Sequence, residues 1–177
     1  MKQSAGLLLF RRREGKLEVF LVHPGGPFWQ RKDAGAWSIP KGEFSNEPPL
    51  QAALREFVEE TGLTPPTGQF IELTPVKQPG GKTVFAWAVE WDCDATQIKS
   101  NTFTLEWPKG SGVREFPEID RAGWFDIATA TSKLLKGQLP LLNRLVSVLN
   151  PTATKRPVPH HGPRLNSTRT RSERSPR

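Results

Sequence analysis

Residues 42–63 read GEFSNEPPLQAALREFVEETGL, and they contain the clearest helical pattern in the chain. Apolar side chains recur every three or four positions over residues 48–61. The two prolines at the start suit a first helical turn, because the N–H groups of that turn have no partner within the helix. We therefore predict a helix over residues 48–61, capped by Asn46 or Glu47 and ended by Gly62.

The predicted helix has two unlike faces. Glu56, Glu59 and Glu60 stand at positions i, i+3 and i+4, which places their carboxylates on one side. Three acids this close repel each other near the negative end of the helix dipole, unless a cation offsets them. Such hard oxygen ligands suit Mg²⁺ or Mn²⁺, although a solvated acidic face is the simpler interpretation of these residues alone. The apolar face, which we expect to pack on the core, consists of Leu50, Ala53, Leu54, Phe57 and Val58.

The order of residues around the helix distinguishes between these interpretations. Four residues separate Gly42 from Glu47, and seven more lead to Arg55, which opens the run REFVEETGL that ends at Leu63. This resembles the Nudix box, in which a glycine, five residues, a glutamate and seven residues precede Arg-Glu-apolar-x-Glu-Glu-x-Gly-apolar. Every position from 55 to 63 fits, and the departure is the shorter spacing after Gly42. The chain is thus identified as a MutT-like member of the Nudix hydrolase family, and the resemblance implies an α/β/α sandwich with a mixed β-sheet.

The resemblance also implies a divalent metal site. Glu56, Glu59 and Glu60 would bind Mg²⁺ or Mn²⁺, with the backbone carbonyl of Gly42 as a further ligand. The spacing between Gly42 and Glu47 is one residue shorter than in the family pattern, and this difference affects where the Gly42 carbonyl lies relative to the helix. In such a site the metal polarises the phosphate chain of the substrate and lowers the pKa of water.

Supporting and catalytic roles follow from the same resemblance. Glu47 and Arg55 would form a pair that orients the helix carboxylates, as the outer partners of metal ligands do. Two acids compete for the role of general base. One is Glu59 on the helix, and the other is Glu118, in a loop where many relatives carry an acid. An ordinary loop carboxylate is an equally good interpretation of Glu118.

Three further residues are candidates for binding the substrate. Lys41 lies beside the box and could meet a phosphate as a point charge. Phe28 and Trp29 stand in the Gly/Pro-rich loop 23–29 and could stack on a nucleobase. A surface lysine and ordinary packing aromatics are the alternative interpretations.

The remaining segments up to residue 150 predict a single domain. Glu14-Gly15 lies between two apolar segments and indicates a β-hairpin. Strands and helices do not alternate regularly, which favours a mixed-sheet α/β sandwich over a doubly wound sheet. The expected strands are 4–12, 16–23, 36–39, 70–77, 82–91, 102–107 and 122–126, and the later helices are 127–136 and 139–149.

Charge separates residues 151–177 from the rest of the chain. The net charge of +7 divides into +6 in this segment and +1 in residues 1–150. A Pro/Ser/Thr/Arg-rich tail of this kind has too few apolar residues to offset its ordering entropy, so we expect it to be disordered. It is either a solvated tail or a weak contact for RNA and other acidic partners.

Several features predict a cytoplasmic protein with no membrane partner. The apolar run at 5–10 is followed, not preceded, by Arg11-Arg12-Arg13, which is the wrong polarity for a signal peptide. No run approaches the roughly 20 apolar residues that span a bilayer. The single cysteine, Cys93, cannot form an internal disulfide, which fits a reducing compartment.

Four functions are compatible with these features. The leading expectation is a dinucleoside polyphosphate hydrolase of the diadenosine tetraphosphate type, acting on a small-molecule nucleotide. A nucleoside triphosphate pyrophosphohydrolase uses the same chemistry, and the box does not separate the two. An RNA-end hydrolase would give the basic tail a role in recruitment. A nucleotide-binding regulator without catalysis would be expected to lack one of the helix acids, all of which are present, so an enzyme is favoured.

Overall fold

The computed structural model of the protein describes residues 2–150, so the predicted basic tail lies outside the described residues. No helix of this part is long and apolar enough to span a membrane. The strands are β1 (Gln3–Arg13), β2 (Lys16–Pro24), β3 (Lys41–Glu43), β4 (Ile71–Lys77), β5 (Thr83–Glu90), β6 (Thr102–Glu106), β7 (Val113–Pro117) and β8 (Ile119–Asp126). The helices are α1 (Pro49–Thr61), α2 (Ile127–Lys133) and α3 (Leu139–Leu149), with short 3₁₀ turns at Ala95–Gln97 and Lys136–Gln138.

A mixed six-stranded sheet forms the middle layer of the fold. Its order is β4-β5-β1-β2-β8, and the short β3 also pairs with β1. Strands β1 and β5 run parallel, whereas the other pairs in this sheet are antiparallel. The mixed α/β architecture predicted from the sequence is therefore confirmed.

The two faces of β1 explain why helices cover both sides of the sheet. Its run LLLF at residues 7–10 is buried throughout. Successive side chains of a strand point to opposite faces, so Leu7 joins the apolar cluster that contains Phe57 of α1. Leu8 joins the cluster on the other side, with Leu142 of α3. Burial of a leucine side chain contributes about 1.5–3 kcal/mol to the stability of the fold. Leu7 and Leu8 therefore let this one strand stabilise the helical layers on both sides of the sheet.

The predicted β1–β2 hairpin is confirmed, and its turn explains it. Arg13 pairs with Lys16 at the end of the ladder. Between them, Glu14 and Gly15 have φ angles of 52° and 75°. Two successive positive φ angles are what a type I′ turn requires, and this turn matches the twist of the strands.

Helix α1 has the predicted end but not the predicted cap. Gly62 is left-handed, with φ 66°, and its N–H donates to the carbonyl four residues earlier. The N-cap is Pro48, and no side chain caps the helix. The prediction of Asn46 or Glu47 as the cap is wrong, because Asn46 has a left-handed φ of 59° and the Glu47 carboxylate binds Arg55 instead.

The buried face of α1 is also shifted from the prediction. Ala53 and Phe57 are fully buried, as expected, but Val58 is 39% exposed. Ala52, which the predicted face left out, is fully buried. The buried face is therefore rotated toward Ala52 and away from Val58.

The strand predicted over 36–39 is wrong. Only isolated bridges occur there, among them one between Ser38 and Val22. Two residues later, the Pro40 carbonyl accepts a hydrogen bond from the Leu7 N–H at 3.1 Å. The chain therefore crosses from β2 to β1 at this point, and a regular ladder begins only with β3.

Strands β6 and β7 form a separate two-stranded sheet, and they lie between β5 and β8 in the chain order. The sequence predicted β6 but missed β7, whose residues are mostly exposed. Strand β8 starts at Ile119, earlier than predicted, and α2 ends at Lys133, before the predicted boundary at 136. The early start of β8 matters because it puts Glu118 directly between two strands.

Candidate active site

Arg55 gathers the acidic side chains of the box. Its Nη2 donates to Glu47 Oε1 at 2.6 Å, and its Nη1 donates to Glu56 Oε1 at 2.8 Å and to Glu59 Oε2 at 2.9 Å. The hydrogen bond that Arg55 donates to Glu47 is the largest cause that raises the pKa of the Arg55 guanidinium above its usual value. Arg55 therefore remains a cation that holds Glu47 and the helix carboxylates together.

Gly42 makes room for the Glu56 carboxylate. A Cβ atom built on Gly42 would lie 1.7 Å from Glu56 Oε2, which no side chain could tolerate. Burial raises the pKa of Glu56 above its usual value, although Arg55 opposes this. The glycine that begins the box is thus required by contact with the box's own helix, even with the shortened spacing.

Glu60 is the most strongly perturbed acid of the site. Its Oε2 accepts a hydrogen bond from the backbone N–H of Lys41 at 2.8 Å. Burial, assisted by the like charges of Glu56 and Glu118, raises the pKa of Glu60 to about 7. Burial likewise lowers the pKa of the Lys41 ammonium. Burial disfavours the charged form of Glu60, so a cation bound nearby would stabilise this carboxylate more than it would stabilise an exposed one.

A cavity of about 230 Å³ joins residues that are far apart in the sequence. Lys41, Glu60 and Glu118 line it together, and Trp29 is part of its wall. Two of the predicted substrate-binding residues, Lys41 and Trp29, are therefore brought to one place with two of the predicted acids.

The structure separates Phe28 from Trp29. Phe28 is 56% exposed and does not line the cavity. Its ring packs edge-on against Trp107, with the ring centroids 4.8 Å apart. Glu59 does not line the cavity either; its side chain is 44% exposed and its carboxylate is bound to Arg55.

Gln138 is a site-supporting residue that the sequence did not reveal. It is fully buried, and its Oε1 accepts a hydrogen bond from the Ile39 N–H at 3.0 Å. Its Nε2 donates to the Ser38 hydroxyl at 2.9 Å. These bonds hold the segment that leads into Lys41. The contact spans 99 positions, and no local pattern would have indicated it.

The carboxylates of α1 fit a metal ion by chemistry, but their present contacts lie elsewhere. In the part of the chain described, no three carboxylate, imidazole or thiol groups are arranged to hold a metal ion. Arg55 engages Glu56 and Glu59, and the Lys41 amide engages Glu60. The donors are all oxygen atoms on one helix, which is the set that Mg²⁺ and Mn²⁺ prefer. Glu56 and Glu59 each accept a hydrogen bond from Arg55 through one carboxylate oxygen, so the other oxygen of each can bind a cation while Arg55 stays in place.

Comparison with solved structures supports the fold. An Ap4A hydrolase of C. elegans, in a binary complex, has a TM-score of 0.57 at 22% identity, covering 85% of this chain and 99% of that one. The NUDIX domain of Shewanella oneidensis NrtR, complexed with ADP ribose, has a TM-score of 0.57 at 20% identity, covering 83% and 87%. A MutT described for Aliivibrio salmonicida and Vibrio cholerae has a TM-score of 0.50 at 16% identity, covering 82% and 96%. At these identities the likeness concerns the fold alone.

Comparison of the sequence with family models decides the assignment. Among curated proteins, no sequence match was found. The family model of the NUDIX domain matches residues 1–145, which is most of the chain and contains the whole of the cavity and the box. The chain therefore belongs to the Nudix hydrolase family.

Proposed function

We propose that the protein is a divalent-metal-dependent hydrolase that cleaves a phosphoanhydride bond in a nucleoside diphosphate-linked substrate. The observation that carries this proposal is the cavity in which Glu60, Glu118 and Lys41 lie together beside Trp29. It combines metal-binding and proton-accepting carboxylates with a cation for phosphate and an aromatic surface for a base.

The helix carboxylates are proposed to bind the metal. Glu56, Glu59 and Glu60, with the Gly42 carbonyl, would hold Mg²⁺ or Mn²⁺. When bound, the cation supplies charge neutralisation for the phosphate chain and lowers the pKa of nearby water. Arg55 and Glu47 then keep the helix acids oriented, because their pairing does not depend on the cation.

Glu118 is proposed as the general base in preference to Glu59. Glu118 lines the cavity, whereas Glu59 is bound to Arg55 and does not line it. A base must come within hydrogen-bond reach of the water that it deprotonates, so position decides between the two acids. Glu118 would accept the proton as the water attacks phosphorus in line with the leaving phosphate.

The cavity has room for only part of a nucleotide substrate. Sites that enclose a drug-sized ligand occupy roughly 300–1,000 Å³. A cavity of about 230 Å³ therefore takes one nucleoside or part of the phosphate chain and leaves the other end outside. Stacking on Trp29 would contribute roughly 1–3 kcal/mol for the enclosed base. A dinucleoside polyphosphate of the diadenosine tetraphosphate type is the leading candidate.

The test is a hydrolysis panel with purified protein and Mg²⁺. Its substrates are diadenosine tetraphosphate, ADP-ribose, ATP and an oxidised deoxyguanosine triphosphate, and chromatography resolves the products. ATP plus AMP from the dinucleotide would support the proposal. Monophosphate plus pyrophosphate from a triphosphate would instead make the protein a pyrophosphohydrolase. No turnover of any substrate, or turnover that survives EDTA, would refute metal-dependent hydrolysis.

A further inference from the structure

The segment 99–101 is attached to the end of α1 that carries the acidic residues. The Lys99 N–H donates to the Thr61 carbonyl at 2.7 Å, and the Asn101 N–H donates to the Glu59 carbonyl at 3.4 Å. Gly62 permits this approach, since a Cβ there would lie 2.7 Å from the Lys99 carbonyl oxygen. These contacts fix the position of segment 99–101 relative to the end of α1 that carries the acids.

The same segment holds the backbone around Glu118. The Glu118 N–H donates to the Asn101 carbonyl at 2.8 Å. The next amide, that of Ile119, donates to the Ser100 hydroxyl at 2.9 Å, while that hydroxyl donates to the Asn101 carbonyl at 2.8 Å. Ser100 thus accepts one hydrogen bond and donates another at the junction between the two segments.

Loop 23–29 binds Glu118 from the other side. The Gly25 N–H donates to the Glu118 carbonyl at 2.9 Å. A Cβ on Gly25 would lie 2.0 Å from the Pro117 carbonyl oxygen, so the two strands of chain touch at that point. Both backbone polar groups of Glu118 are therefore occupied, and its exposed side chain starts from a fixed position beside the cavity.

We propose that Ser100 is a positioning residue for Glu118. This inference rests on the proposed function, in which Glu118 is the general base. Ser100 contributes to this arrangement through its side chain, whereas Lys99 and Asn101 contribute through their backbone, and Ser100 does not line the cavity. Its hydroxyl binds the Glu118–Ile119 peptide to segment 99–101, and the backbone of that segment is bound to the end of α1. The Glu118 carboxylate and the helix acids therefore keep a fixed relative position.

Ser100→Ala removes the hydroxyl and leaves the backbone unchanged. Loss of a partner that orients a functional group costs about ten- to a hundredfold in activity. We expect kcat on the preferred substrate to fall by about tenfold or more with KM unchanged, because substrate contacts are intact. Ser100→Thr, which keeps a hydroxyl, should restore most of kcat. Ser111→Ala is the matched control, since the Ser111 hydroxyl donates to the Pro108 carbonyl within the β6–β7 turn.

A double-mutant cycle separates positioning from a general structural effect. In the Glu118→Gln background, Ser100→Ala should lower kcat no further, because the group that it positions is gone. A structural effect would lower kcat by the same factor in both backgrounds, and that result would overturn the proposal. So would a Ser100→Ala enzyme with the kcat of the wild type.

Amide hydrogen exchange supplies a readout that does not require activity. Ser100→Ala should accelerate exchange at the Ile119 N–H by tenfold or more, while Ser111→Ala leaves it unchanged. Unchanged exchange at Ile119 in Ser100→Ala would overturn the inference even in an active enzyme. If the wild type cleaves none of the nucleotides but exchange at Ile119 accelerates as expected, the proposed function fails while the hold on the Glu118 segment stands.

Discussion

Glu60→Gln should stabilise the metal-free protein at neutral to alkaline pH. Burial raises the pKa of Glu60 from its usual 4.5 to about 7. Each unit of pKa corresponds to about 1.4 kcal/mol, so the ionised carboxylate destabilises the folded state by at most about 3 kcal/mol at pH 8. Glutamine keeps the shape of the side chain and an oxygen that accepts the hydrogen bond from the Lys41 amide. It removes only the buried charge.

The effect of Glu60→Gln should depend on pH in a defined direction. Below about pH 4.5, the carboxyl group of Glu60 is protonated in both the folded and the unfolded state and imposes no electrostatic cost. Between about pH 4.5 and 7, the unfolded state ionises first and the wild type loses stability relative to the variant. Above about pH 7, the difference is complete.

Thermal unfolding in EDTA across this pH range measures the effect. For a domain of this size, about 3 kcal/mol corresponds to a rise in Tm of about 6–12 °C at pH 8, and the rise should vanish at pH 4. Glu72→Gln, at an exposed position on β4, is the control and should leave Tm unchanged. Adding Mg²⁺ should raise the Tm of the wild type but not that of Glu60→Gln, because the ligand is lost. A lower Tm for Glu60→Gln at pH 8 in EDTA would refute this account of the site.

Three further predictions concern single residues around the cavity. Gly42→Ala should abolish Mg²⁺-dependent turnover, because its methyl group would displace the Glu56 carboxylate; near wild-type turnover would argue against that contact. Glu118→Gln should lower kcat by about a hundredfold or more with KM little changed, and an unchanged rate from about pH 6 to 10 would exclude Glu118 as the base. Gln138→Leu should lower the free energy of unfolding by about 1–3 kcal/mol in urea, since it leaves the buried Ile39 N–H without an acceptor, whereas the exposed Gln97→Leu should not.

Local patterns determined the elements whose causes lie close together in the chain. Helix α1 depends on apolar spacing and on Gly62, and the β1–β2 turn depends on adjacent residues that accept positive φ. The spacing of Glu56, Glu59 and Glu60 likewise follows from helical geometry alone. For these features, the sequence within about twenty positions contains the physical determinants. The extent of α1, its end at Gly62 and the hairpin turn agree with the predictions.

Predictions failed where a remote contact or the local backbone conformation overrode the preference of the residue type. Residues 36–39 have the apolar character of a strand, yet Gln138 and Val22 take their hydrogen bonds and no regular ladder forms. Asn46 has the chemistry of a helix cap, but its left-handed conformation leaves Pro48 at that position. Propensity describes what a segment prefers alone, whereas burial and pairing with remote strands decide the outcome.

The sequence by itself determined the family, the helix that carries the acids and the kind of cation those acids suit. Only the tertiary structure decided which acids share a cavity. Glu118 lies 58 positions after Glu60, and the two meet because segment 99–101 and loop 23–29 bind the backbone at the start of β8. The sequence offers the neighbours Phe28 and Trp29 equally as residues that could stack on a nucleobase. In the structure Trp29 lines the cavity, whereas Phe28 packs against Trp107. Which residues line the cavity depends on contacts between segments far apart in the chain, and the local sequence pattern does not indicate such contacts.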